Sequence, residues 1–213
     1  MHFLSDTLEN YIAENSGDEP DILKALTRET HLKVVQPRML TGHFQGRVLS
    51  MLSKILYPKF VLEIGTYTGY SALCLAEGLQ DKGTLHTIDV NPELHTLQRK
   101  FFDKSIYGNR IIQHVGNALN IIPTLDITFD LVFIDAEKKE YLNYLKAILP
   151  KTKSGTIILS DNVLWTGKVL EKIDPKDKTT QTLLAYNKFL KEHPKLETVL
   201  LPVRDGLTVS RVK

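Results

Sequence analysis

The sequence has one cysteine, Cys74. A single thiol excludes an intramolecular disulfide and any cysteine-rich metal site. Its setting in the apolar stretch SALCLAEGL reads as a buried, inert side chain. No apolar run approaches the roughly 20 residues that a bilayer-spanning helix needs, so no membrane partner is expected. Charge of one sign is missing too: 27 basic residues against 25 acidic leave a net +2, and the lysines and arginines are scattered. Such a balance gives no support to nucleic-acid or membrane partners and reads as a solvated surface. The opening residues, MHFLSDTLENYIAENSGDEP, carry early acids and lack the basic-then-apolar order of a secretory leader, so a cytoplasmic protein is expected. No repeat, low-complexity tract or long linker divides the 213 residues. One domain over 1–213 is expected, with N-terminal helices at 1–56 covering a site on an α/β core at 57–213.

What the chain has is alternation. Residues 3–14, 20–32 and 43–56 read as helices, the second opening on Pro20 and Asp21. After Pro58, strands are expected at 61–64, 84–89, 111–116, 130–135 and 155–161. Helices at 71–79, 91–105, 118–125, 139–150 and 177–192 separate or follow them, with Asn91 as an N-cap and Pro92 in the first turn. Two last strands, 197–203 and 206–212, are joined by the tight turn Arg204-Asp205-Gly206. Strands alternating with helices imply a parallel sheet wrapped on both faces. A two- or three-residue connection cannot make a parallel crossover, so the final strand runs antiparallel to its neighbour. The predicted fold class is α/β: a mostly parallel seven-stranded sheet with an antiparallel last strand. That pattern fits the Rossmann-like class I fold of S-adenosylmethionine-dependent methyltransferases better than an NAD-binding fold.

The stretch VLEIGTYTGYS at 61–71 leads from a strand through two glycines into a helix. NAD-type sites use G-x-G-x-x-G so that backbone can approach a pyrophosphate. Here Thr66, Tyr67 and Thr68 separate Gly65 from Gly69, and Glu63 stands just before the loop. An acid there suits a cation better than a phosphate, and S-adenosylmethionine carries an ammonium and a sulfonium. Asp89 ends the next strand, where an acid can accept hydrogen bonds from ribose hydroxyls. The plainer alternative is that the glycines only make a tight turn and Asp89 caps the helix at Pro92. The conjunction at this spacing favours the cofactor.

Downstream, DLVFID ends in Asp135 and GTIILSDN in Asp161-Asn162. On parallel strands all three emerge at the carboxyl edge of the sheet, where open α/β sheets place ligands. Two carboxylates and an amide oxygen form an all-oxygen set suited to a hard cation, leaving about three positions of an octahedron for water and a chelating substrate. Each aspartate alone would pass for a helix N-cap. Together they favour a metal.

At these residues the sequence resembles the cation-dependent O-methyltransferases of the catechol and caffeoyl-CoA type, from about Met39 to the C-terminus. The carriers are VLEIGTYTGYSAL (61–73), HTIDVNPE (86–93), FDLVFIDAEKKEYLNY (129–144), LSDNVLWTGKV (159–169) and LPVRDGLTVSRV (201–212). The resemblance implies that Glu63, Gly65, Tyr67 and Ser71 surround the methionine part of S-adenosylmethionine, that Asp89 holds the ribose, and that Asn117 and Ala118 border the adenine. It implies a divalent cation (Mg²⁺, with Mn²⁺ and Ca²⁺ as alternatives) on Asp135, Asp161 and Asn162, with Asp135 also beside the cofactor. Lys138 matches the general base, and Thr41 a segment closing over the cofactor's amino-acid end. Trp165 reads as core or as substrate wall, the wall being favoured, and Arg38, Met39 and the helices before residue 56 as a cover over a phenolic small-molecule substrate or a dimer interface; a homodimer is expected. His43-Phe44-Gln45-Gly46-Arg47 departs from the family's usual acidic pair followed by Gly-Gln, Glu137 and Thr208 depart from the animal catechol enzymes, and these differences point to the microbial or plant branch. Rival readings are a non-catalytic S-adenosylmethionine-binding protein and a nucleic-acid methyltransferase. Asp135, Asp161, Asn162 and Lys138 oppose the first, and the lack of a basic face opposes the second.

Overall fold

Short apolar runs with no polar alternation are the signature of strands covered on both faces, and they form the centre of the molecule. The computed structural model describes residues 6–213. Its strands are β1 (Phe60–Ile64), β2 (Thr84–Asp89), β3 (Ile111–Val115), β4 (Phe129–Ile134), β5 (Thr152–Asp161), β6 (Leu196–Leu201) and β7 (Leu207–Val212). They make one seven-stranded sheet in the order β3-β2-β1-β4-β5-β7-β6. Strands β1 to β5 are mutually parallel, and β7 runs antiparallel between β5 and β6. The expected α/β class, with its one reversed strand, is borne out.

The helices are α1 (Asp6–Glu14), α2 (Asp21–Lys33), α3 (His43–Leu56), α4 (Tyr70–Ala76), α5 (His95–Lys104), α6 (Ala118–Ile121), α7 (Tyr141–Ile148) and α8 (Lys178–Glu192). Alternate strand residues feed two cores. Val61, Leu85, Leu131, Phe133 and Leu159 pack with α2 to α5 on one face. Leu62, Ile64, Ile88, Val132 and Ile158 pack with α6, α7 and α8 on the other. Each fully buried side chain of this kind contributes about 1.5–3 kcal/mol. Cys74 belongs to the first core, where burial pushes its thiol up to about 12 and leaves it inert.

The elements differ from expectation mainly at their ends. Residues 3–5 of the first predicted helix lie outside the described residues. The helix expected over 91–105 opens as a 3-10 turn at Pro92–Leu94, with the Asn91 side chain accepting from Glu93 N at 2.9 Å, before α5 begins. The helix expected over 71–79 stops at Ala76, and at Gly78 a Cβ would lie 2.2 Å from the Ser53 carbonyl carbon. Pro123 and Pro150, which lack an N–H, fall in 3-10 turns that end α6 and α7 early. Strand β5 begins at Thr152, ahead of the expected 155, and β6 stops at Leu201, before Pro202. Among the described residues no helix is long and apolar enough to cross a membrane.

Candidate active site

The carboxyl ends of β1 and β2 hold the first group of residues. Gly65 has φ +99°, and a Cβ there would sit 1.9 Å from the Asp135 carbonyl oxygen, so only glycine fits. The turn that follows is held from the next strand: Tyr67 N donates to Asp89 Oδ2 at 2.7 Å, and Asn91 N donates to Oδ1 at 2.9 Å. Asp89 therefore fixes the turn, while the Asn91 side chain supplies the cap. Glu63 is completely buried; Thr87 Oγ1 donates to its Oε2 at 2.5 Å, and the Ser71 hydroxyl lies against the same carboxyl. Its Oε1 has no partner among the described residues. Burial raises this carboxyl to about 8, with Asp135 and Asp89 pushing the same way and the two hydroxyls opposing. Asn117 and the buried Ala118 stand past the end of β3, the Asn117 side chain capping α6 by accepting from Leu119 N at 2.9 Å. Over the turn lies the N-terminal segment: Tyr67 Oη donates to Gln36 O at 2.7 Å, and Thr41 is buried.

The second group stands at the ends of β4 and β5, which pair in parallel and so bring Asp135 and Asp161 to one edge. Neither caps a helix. Glu137 takes that part after β4, and Asp161 Oδ1 accepts from Asn162 N at 2.8 Å. Lys138 is nearly buried; its Nζ donates to Asp135 Oδ1 and to Tyr141 Oη, each at 2.8 Å. Tyr141 Oη in turn donates to the Asp161 carbonyl at 2.9 Å. Burial raises the Asp161 carboxyl to about 7; Asp135 adds to the rise, and Lys138, the Gln45 side chain and the Asn162 amide offset it. Asn162 follows at φ +58°, a left-handed conformation that asparagine tolerates.

The structure thus gathers Asp135, Lys138 and Asp161 at one point and Glu63, Gly65, Tyr67, Ser71 and Asp89 beside it. Trp165 is half-buried and packs on the second core. Arg38 and Met39 lie exposed on the 3-10 turn Pro37–Met39, with Arg38 Nε donating to Gln36 Oε1 at 3.2 Å. Among the described residues no cluster of three or more His, Cys, Asp or Glu side chains could hold a metal ion. The donor set in question has two carboxylates and an amide, and its two neighbouring acids face one ammonium. That excess of negative charge suits a divalent cation.

Sequence reasoning missed Tyr141 and Thr87. Tyr141 follows Lys138 by three residues at a helix start, a spacing that puts two side chains on one face and could have revealed it. Thr87 lies within a buried strand and carries no such signal.

Comparison with known proteins decides the class. Residues 13–213 match the model of the O-methyltransferase family. The chain belongs to that family. Among its relatives, a caffeoyl-CoA O-methyltransferase of Petroselinum crispum is 37% identical, over 97% of this chain and 91% of that one. The SAH-bound methyltransferase PaMTH1 of Podospora anserina superposes with a TM-score of 0.88 at 32% identity, covering 98% of this chain and 94% of that one. The O-methyltransferase TomG of Streptomyces achromogenes, solved in complex with SAM, gives a TM-score of 0.89 at 26% identity, covering 97% and 96%. The expected enzyme class is borne out: this chain is an O-methyltransferase.

Proposed function

We infer that this O-methyltransferase transfers the methyl group of S-adenosylmethionine to one hydroxyl of a vicinal diphenol, of the kind a caffeoyl group carries. Asp135, Asp161 and Asn162 would hold a divalent cation, Mg²⁺ being the best fit to an all-oxygen set. Such a cation, when bound, lowers the pKa of a phenolic oxygen and fixes its orientation. The observation that carries the reading is the pair of carboxylates side by side at the tips of β4 and β5, with Lys138 as their one cationic partner among the described residues.

The chain's own residues divide the remaining work. Glu63, Ser71, Tyr67 and Asp89 would orient the cofactor, whose methyl carbon leaves sulfur as it bonds to the acceptor oxygen. Lys138 would take the phenolic proton. Two of its three N–H donors are engaged by Asp135 and Tyr141, which fixes Nζ in place. To act as a base it must first lose its third proton, which leaves a lone pair while the other two N–H groups keep both bonds. Alignment of oxygen, carbon and sulfur then supplies the positioning effect, about 7–11 kcal/mol in favourable cases.

The test is a methyl-transfer assay on a panel of small diphenols and a caffeoyl thioester, with and without chelator. Turnover that vanishes in chelator and returns with Mg²⁺ is expected. Turnover indifferent to chelator would overturn the cation, and acceptance of monophenols alone would overturn the acceptor class.

A further inference from the structure

The β6–β7 hairpin turn, Val203 to Gly206, lies at the same edge as the site, because Leu207 at the start of β7 pairs with Asp161 at the end of β5. Its two charged residues reach in opposite directions. Arg204 Nη1 donates to the carbonyls of Leu40, at 3.2 Å, and of Thr41, and to Gln45 Oε1 at 3.3 Å. Asp205 Oδ1 accepts from Thr166 N at 2.5 Å, and its carbonyl accepts from Leu164 N at 2.9 Å. Gly206 O accepts from Val163 N at 3.2 Å. At Gly206 itself (φ +88°) a Cβ would lie 2.5 Å from Leu164 Cγ, so backbone and loop are in close register. One turn of four residues therefore grips the 40–45 segment, which carries Thr41, and the 163–166 segment, which carries Trp165.

Gln45 extends the grip inward. It is buried to 1% exposure, Arg204 occupies its Oε1, and its Nε2 has no partner that meets hydrogen-bonding geometry among the described residues. The same side chain lies against the Asp161 carboxylate. An amide clamped at its oxygen must direct its NH₂ the other way, so the arginine sets how the amide faces that aspartate.

We propose that Arg204 and Asp205 are positioning residues: they set the cofactor-side segment 40–45 and the acceptor-side loop 163–166 in fixed relation across the site. This rests on the reading of that site as the place of methyl transfer. Neither residue touches the reacting atoms. Arg204 acts through Thr41 and Gln45, and Asp205 through the loop bearing Trp165.

The test compares Arg204→Ala, Arg204→Lys and Asp205→Ala with the unaltered chain. Calorimetry with SAH, diphenol kinetics and amide hydrogen exchange are the three readouts. Arg204→Ala is expected to weaken SAH about tenfold to hundredfold, the scale of hydrogen bonds from a charged donor. Exchange should quicken over 40–46 and stay unchanged in β1 to β5. Arg204→Lys, which keeps a donor, should recover part of the affinity, and it serves in place of the alanine variant if that one fails to fold. Asp205→Ala should raise the KM for the diphenol and quicken exchange over 163–167, leaving SAH affinity within about twofold. Unchanged SAH affinity and exchange in both Arg204 variants would overturn the proposal. Exchange quickened evenly through the sheet would overturn it too, since that marks plain destabilisation. If no diphenol is methylated at all, the acceptor reading falls, while the SAH and exchange readouts still decide the role of the turn.

Discussion

The tips of β1 and β2 and the tips of β4 and β5 each present one buried acid beside a half-buried one, yet they treat them differently. Asp89 is met by two backbone N–H groups, and Glu63 by the hydroxyls of Thr87 and Ser71. Those donors come from β2, the 65–69 turn, the start of α4 and the residue pair after β2, so this side is arranged by the chain itself. On the acceptor side, Asp135 and Asp161 stand together, and Lys138 is the ammonium that pairs with Asp135. Neutral donors orient a ligand without fixing the charge it must bring. Two acids sharing one lysine favour a positive partner, because burial and the neighbouring Asp135 both make the ionised form of Asp161 costly. Under the proposed function, the contrast separates a side that would recognise the cofactor from a side that would carry the reaction.

Four changes would break or sharpen that contrast. The largest effect is expected from Asp161→Ala: turnover should fall on the order of 10⁴-fold, the scale on which charge-stabilising and acid–base groups act. SAH affinity, read by calorimetry, should stay within a few-fold. Equal losses in both would erase the distinction between the two sides. Lys138→Met should lower kcat on the order of 10³-fold with little change in KM, as loss of a proton acceptor does. A full rate in that variant would remove Lys138 from the reaction. On the other side, Asp89→Ala should weaken SAH about tenfold to hundredfold, since it removes a charged acceptor and frees the Tyr67 turn. Its kcat at saturating cofactor should hardly move.

The smallest effect concerns pH. The Glu63 carboxyl is raised from 4.5 to about 8, so between those values the folded chain holds a proton that the unfolded chain has released. Stability of the ligand-free protein should therefore fall as pH rises through that window, and Glu63→Gln should flatten the slope. Thermal denaturation at pH 5, 6, 7 and 8 reads it directly. A slope unaltered in the glutamine variant would assign the effect to other groups.

Much of the scaffold was legible because it depends on local signals. Apolar runs marked the strands, and the short Arg204-Asp205-Gly206 connection forced the reversal of β7. Helix ends were less legible where a proline or a close contact intervened: Gly78 presses on Ser53, a partner 25 positions away that no window on the sequence reveals. The same division runs through the site. Asp135, Asp161 and Asn162 could be found because the ends of parallel strands share an edge. Tyr141, Thr87 and Gln45 act through partners brought together by folding. Arg204 looked like an ordinary turn residue, since its acceptors lie some 160 positions earlier in the chain.

The contact between Gly65 and the Asp135 carbonyl has a consequence for how such an enzyme can diversify. Main chain touches main chain there, with no side chain between to grow or shrink, so the gap from donor tip to acceptor tip behaves like a fixed gauge. Under the proposed function, loops such as 163–170 could change with the acceptor while the gauge passes unchanged to each variant.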